Sequence, residues 1–212
     1  MPNDRRLDVR AEPAGAVPKA QPTARLFIAV WPPAGARAAL GGWLRQWLWG
    51  PGAAVVTPAR LHLTLHFLGQ VPLGRLGALQ AALPVAAAAS APFELEFGRI
   101  ERWPQGLVVL VAEAPPAPLL RLHAALADLL QGLGLAVEAR PYRPHVTLAR
   151  RAAGAVAPVT KPTLRWSVDH IALVRSERGY RELLRCPLGA ARAVAARGTP
   201  CQPERSSGRA PG

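Results

Sequence analysis

Two tetrapeptides of one form, His62-Leu63-Thr64-Leu65 and His145-Val146-Thr147-Leu148, stand 83 positions apart, each inside an apolar run. Repetition of this kind constrains the fold, because each copy needs the same local backbone and a matching setting. The lead-ins agree: Ile28 precedes His62 by 34 positions and Val111 precedes His145 by 34. Each unit then reads as strand, helix, motif strand and further strand. The expected fold class is α+β: a bilobal, pseudo-twofold duplication with two antiparallel sheets lining a central cleft and helices outside.

Hydrophobic period places the elements. Residues 26–30 form an apolar run stopped by Trp31-Pro32-Pro33, which predicts a buried strand. Helix formers fill 34–49 up to Gly50-Pro51-Gly52. Over 61–68 apolar and polar residues alternate, with Leu61, Leu63, Leu65 and Phe67 on one face and His62, Thr64 and His66 on the other. Further helices are expected over 73–89 and 118–133, and strands over 93–100, 107–111, 144–149, 165–175 and 180–188. Residues 1–24 and 190–212 lack periodicity and read as disordered tails. The folded domain is 25–189, with repeat halves 25–103 and 104–189.

On a strand, His62 and Thr64 project from one face about 6.6 Å apart, at ~3.3 Å per residue. An imidazole moves protons near neutral pH, and a hydroxyl donates to a non-bridging phosphate oxygen. Two such pairs around one phosphorus meet the needs of an in-line displacement: one neutral histidine takes a proton from water, and one protonated histidine hands a proton to the leaving oxygen. Metal binding is the competing chemistry. Histidines four apart, such as His62 and His66, come close enough to share a metal only on a helix. On a strand they lie ~13 Å apart, so neither a metal nor a cofactor is expected. His66 has no twin, because position 149 is Ala. It is carried as a candidate substrate contact.

The formal net charge is +13, with 26 Lys+Arg, nearly all arginine, against 13 Asp+Glu. Such a balance favours a polyanionic partner. An Ala/Arg/Gly/Pro-rich, Lys-poor chain is equally the product of GC-rich coding. No apolar stretch approaches ~20 residues, so no membrane span is expected, and the N-terminus carries no apolar signal core. Cys186 and Cys201 form no metal or redox pattern, consistent with a cytoplasmic setting. Nothing demands an obligate partner or a dimer, since the symmetry a dimer would supply is already inside the chain.

At these residues, HLTLHFLG and YRPHVTLAR with RLFIAVWPP upstream and the closing Ser176, Tyr180, Leu183, Pro187, Leu188 stretch, the chain resembles the two-histidine phosphoesterase superfamily. Within it the chain is similar to the bacterial and archaeal RNA 2′,3′-cyclic phosphodiesterases, also called 2′-5′ RNA ligases. The resemblance spans about 25–189. It implies a V-shaped cleft and metal-independent opening of a terminal 2′,3′-cyclic phosphate of RNA to a 2′-phosphomonoester. It casts His62 as proton donor, His145 as proton acceptor, and Thr64 and Thr147 as phosphate ligands. With a 5′-hydroxyl in place of water, it implies 2′-5′ ligation. Arg150 is carried as a phosphate ligand, although on an unbroken strand Arg151 would share the face of His145; a bulge would turn Arg150 inward. Tyr142 and Arg143 are candidate nucleotide contacts. Two readings compete: a phosphodiesterase on small cyclic nucleotides of the ADP-ribose cyclic phosphate type, and a non-catalytic RNA- or nucleotide-binding module.

Overall fold

The structure is a computed structural model that describes residues 21–160 and 164–189. The expected tails therefore lie, apart from residues 21–24, outside the described residues, as does Cys201. Nine strands are described: β1 (Thr23–Val30), β2 (Ala54–Val55), β3 (Leu63–Pro72), β4 (Phe93–Trp103), β5 (Leu107–Ala112), β6 (His145–Arg150), β7 (Leu164–Val168), β8 (His170–Ser176) and β9 (Tyr180–Pro187). Three α-helices accompany them: α1 (Ala34–Leu44), α2 (Leu76–Ala88) and α3 (Ala117–Gly132).

All ladders are antiparallel, in the order β7-β4-β5-β6-β3-β1-β8-β9, with β2 added on β6. The order is a palindrome about its centre. The motif strands β6 and β3 meet there, β5 and β1 flank them, then β4 and β8, then β7 and β9. The two expected sheets are thus two four-stranded lobes. One residue pair, Leu63 opposite Val146, joins them into a continuous curled sheet.

The lobes do not follow the sequence halves. β4 lies before residue 104 yet pairs with β5 and β7. β8 and β9 come last yet pair through β8 with β1. Residues 165–175, expected as one strand, are two: the chain breaks at Asp169 and crosses from one lobe to the other. The equal 34-residue lead-ins are also not structural equivalents. Ile28 lies opposite His66, whereas Val111 lies opposite His145 itself. The register match of Ile28 is Val108, three residues earlier.

The helices cover the convex face: α2 packs on α3, β8 and β9, α3 also on β3, and α1 against β7. Leu26, Ile28, Leu63, Leu65, Leu110, Val146 and Leu148 point into this core, all 3% exposed or less. Truncating any of the leucines costs about 2–5 kcal/mol. α1 ends earlier than expected because Trp49 folds back. Its Nε1–H donates to the Leu44 carbonyl at 3.0 Å, and its ring stacks on Trp47 at 4.6 Å. On the concave face a second, smaller apolar cluster gathers Phe27, Ala29, Ala172 and Val174 under Trp31 and Tyr180. That cluster floors the lobe that holds His62.

Candidate active site

The two motifs sit on identical backbones. Val30 opposes Leu63 and Ala29 opposes Thr64, but Ile28 opposes His66, so Leu65 is the extra residue of a β-bulge. On the other side Leu110 opposes Val146 and Val109 opposes Thr147, but Val108 opposes Ala149, so Leu148 is extra in the same place. A bulge inserts one residue and reverses the facing of the residues after it. The exposure pattern shows it: residues 62–67 and 145–150 both run half-buried, buried, half-buried, buried, buried, exposed.

The bulge decides three assignments. Arg150 falls on the concave face with His145 and Thr147, and its charge lowers the basicity of both His62 and His145. Arg151 leaves the sheet with φ 51° and donates from Nε to the Gly52 carbonyl at 3.3 Å. His66 is turned away from His62 into the core, 4% exposed. There it hydrogen-bonds through Nε2 to the His123 carbonyl at 2.9 Å and stacks on the His123 ring. Tyr142 stacks on the other face of His123 at 3.9 Å and donates its hydroxyl to the Thr64 carbonyl at 3.2 Å. His66 is therefore a buried packing residue, and Tyr142, half-buried, is engaged on one ring face by His123 and at its hydroxyl by the Thr64 carbonyl. Phe67, expected in the core, is instead 48% exposed beneath the Arg25 guanidinium.

Each imidazole is held the same way. His62 Nδ1 donates to the Arg60 carbonyl at 2.7 Å, and His145 Nδ1 donates to the Arg143 carbonyl at 2.7 Å. Both rings therefore keep Nε2 for chemistry. Continuing the Leu63–Val146 register sets His62 beside Thr147 and Thr64 beside His145. The two histidines are then diagonal neighbours, about 7–8 Å apart in such a ladder. One phosphate group between them can be reached by both rings and both threonines.

Burial holds both histidines below the usual imidazole range, and it is the leading cause for each. The carbonyl bonds oppose it. Next come charges: His145, Arg150 and Arg60 for His62; Arg143 and Arg150, with Glu138 opposing, for His145. Neutral rings are thus the resting state, and an arriving phosphate anion favours the charged form of either.

Around the motifs stand aromatic rings and arginines, of which the sequence named Tyr180 and Arg143 and missed Phe27, Trp31, Arg60 and Trp103. His62 is enclosed by Phe27 at 4.9 Å, Trp31 at 5.1 Å and Tyr180 at 5.3 Å between ring centroids. His145 packs on Trp103 at 4.5 Å. The residue two before each histidine is arginine, and each guanidinium lies over an aromatic ring: Arg60 over Tyr180 at 4.4 Å, Arg143 over Trp103 at 4.8 Å. Arg143 also pairs with Glu101 at 2.6 Å. The shared Arg-x-His spacing was the available signal. Arg143 is the one candidate nucleotide contact that does face the cleft.

Comparison with known proteins agrees with this geometry. A family model described as the 2′-5′ RNA ligase superfamily matches residues 39–180. An RNA 2′,3′-cyclic phosphodiesterase of Thermus thermophilus is 37% identical over 164 residues, 72% of this chain and 82% of that protein. The homonymous protein of Geobacillus stearothermophilus is 32% identical over 126 residues, which cover 54% of this chain and 40% of that one. Escherichia coli LigT, solved in apo form, superposes with a TM-score of 0.67 at 29% identity, over 80% of this chain and 99% of LigT. With paired bulged motif strands at the centre of a two-lobed sheet and a family match across most of the described residues, this chain belongs to the 2′-5′ RNA ligase superfamily.

Proposed function

We propose that the chain is an RNA 2′,3′-cyclic phosphodiesterase that opens the terminal cyclic phosphate to a 2′-phosphomonoester. Two imidazoles, both tied at Nδ1 and both presenting Nε2 to one cleft, carry this reading. His145 Nε2 removes a proton from water as water attacks phosphorus. The P–O3′ bond breaks on the opposite side, and protonated His62 gives its Nε2 proton to O3′. Thr64, Thr147 and Arg150 hold the non-bridging oxygens as charge builds on them. The proton then returns from His145 to His62 through solvent. With a 5′-hydroxyl in place of water, the same groups form a 2′-5′ linkage. Every proton carrier and phosphate ligand in this scheme is a side chain of this protein.

The test is incubation of the purified chain, with EDTA, on an RNA oligonucleotide ending in a 2′,3′-cyclic phosphate and on adenosine 2′,3′-cyclic phosphate. The expected product is the 2′-phosphate, lost in His62→Ala and in His145→Ala. Full activity of either variant would refute the two-histidine scheme. Turnover abolished by EDTA and restored by a divalent ion would replace it with metal chemistry. RNA binding without turnover would leave a binding module, and turnover of the mononucleotide alone would point to small cyclic nucleotides.

A further inference from the structure

A cavity of about 570 Å³ opens beside Trp31, lined also by Arg37, Ala59, His170, Glu182 and Arg185. It continues the concave face. Ala172 belongs to the apolar cluster beneath Trp31, and His170 lies two residues before it on the same face of β8. Arg185 lies opposite Ala172, and Glu182 opposite Val174. A single side chain, Trp31, both packs on His62 and forms the cavity wall. Ala59, beside Arg60, forms another part of the wall.

Several charged groups of the cavity are paired. Arg185 is bound by both oxygens of Glu182, at 2.9 and 3.0 Å. His170 Nδ1 meets the Asp169 carboxylate at 2.5 Å. Arg37, in the first turns of α1, has no ion-pair partner among the described residues. The same holds for Arg60. Arg37 lines the cavity itself, while Arg60, next to Ala59 of its wall, lies over the Tyr180 ring beside His62.

The in-line geometry says which part of a substrate passes this way. The leaving O3′ and the attacking water lie on opposite sides of phosphorus. If His62 protonates O3′, the ribose that carries O3′ lies on the His62 lobe, and the strand attached to its 5′ side leaves from there. We infer that the ribonucleotides upstream of the cyclic phosphate run across Trp31 into this cavity, where Arg37 takes a phosphodiester. The inference rests on the cyclic-phosphodiesterase reading and adds to it a site that distinguishes RNA ends from mononucleotides. The attacking 5′-hydroxyl strand of a ligation would approach over Trp103 instead.

The experiment compares kcat/KM for a short RNA oligonucleotide with a terminal 2′,3′-cyclic phosphate against adenosine 2′,3′-cyclic phosphate, in the full chain and in Arg37→Glu. The variant is expected to lower the oligonucleotide-to-mononucleotide ratio about fivefold or more, mainly through KM. It should also flatten the salt dependence of the oligonucleotide reaction by about 0.7 in log–log slope, the value for one lost phosphate contact on a single strand. Arg121→Glu, exposed on α3, makes the same charge change away from the cavity and should leave the ratio alone. An unchanged ratio in Arg37→Glu, or an equal fall in Arg121→Glu, overturns the inference while the phosphodiesterase reading stands. Turnover of neither substrate by the unaltered chain overturns that reading itself, and the inference with it.

Discussion

β3 and β6 share a bulge at the fourth motif residue, a tied imidazole and one exposure pattern, yet they stand in different company. His62 is enclosed by three aromatic rings, with the Arg60 charge the smallest of the influences on its basicity. His145 has one aromatic neighbour and the Arg143 guanidinium as the largest charge acting on it. Aromatic faces attract a cation, whereas a guanidinium repels one. These surroundings fit the roles proposed above, His62 as proton donor and His145 as proton acceptor. The His145 charge lowers the basicity of His62, so the two titrate as a coupled pair. The backbone repeat supplies two equivalent mounts; the side chains around them differ, and on the proposed mechanism that difference separates acid from base.

Removing either mount has the largest effect. His62→Ala and His145→Ala are each expected to lower kcat/KM by about 10²–10⁴-fold, and they should differ in shape. Loss of the base removes the fall of the rate at low pH. Loss of the acid removes the fall at high pH. An aryl phosphodiester, whose leaving group departs unprotonated, should recover activity in His62→Ala and not in His145→Ala. Rate profiles across pH with both substrates read this directly, and recovery in His145→Ala instead would exchange the two roles.

Next in size is the position after the bulge, where the lobes differ most: Arg150 against Phe67. Arg150→Ala removes a charged ligand for the phosphate, which a charge-assisted hydrogen bond of about 1.5–3 kcal/mol translates to roughly 10–100-fold in kcat/KM. Because Arg150 depresses both histidines, its loss should also move the whole pH profile upward. Phe67→Ala is expected to leave both unchanged. An Arg150→Ala profile that falls in height without moving along the pH axis would place the guanidinium out of reach of the imidazoles.

These residues show where sequence reading succeeds and where it stops. Alternation over Leu61–Leu65 set His62 and Thr64 on one face, and the same parity holds at His145 and Thr147, because period two is a local property of a strand. It failed at Leu65-His66 and Leu148-Ala149, two inward residues in succession. A bulge is dictated by pairing with β1 and β5, and such pairing is not written in the strand itself. Arg150 was kept only by allowing for a bulge; His66 was misplaced by the same irregularity. The exchange of outer strands between lobes was equally out of reach. Residues 165–175 read as one strand, and only the partners β4 and β1 reveal a crossing at Asp169. Arg60 was legible in principle, since Arg precedes both histidines by two, but a motif defined as His-x-Thr begins too late to include it.

The smallest expected effect concerns what His66 gained by turning inward. Its twin is Ala149, so the His66–His123–Tyr142 stack has no counterpart at the other motif strand. Burial lowers the basicity of His66 and brings that of His123 to about 4, with the His66 charge adding to the latter. In the unfolded chain these histidines take up protons near 6.5. Unfolding therefore absorbs protons between about pH 6.5 and 4, and the stability present above 6.5 is lost as pH falls through that window. His123→Phe keeps an aromatic ring between His66 and Tyr142 and keeps the backbone carbonyl that His66 bonds, while removing one titrating group. The loss of Tm between pH 7.5 and 5 should shrink by a few degrees in this variant, on the order of 2–4 °C per kcal/mol for a domain of this size. Equal acid sensitivity in the variant and the parent would mean that the stack carries none of it, and that the difference between the lobes is confined to the cleft.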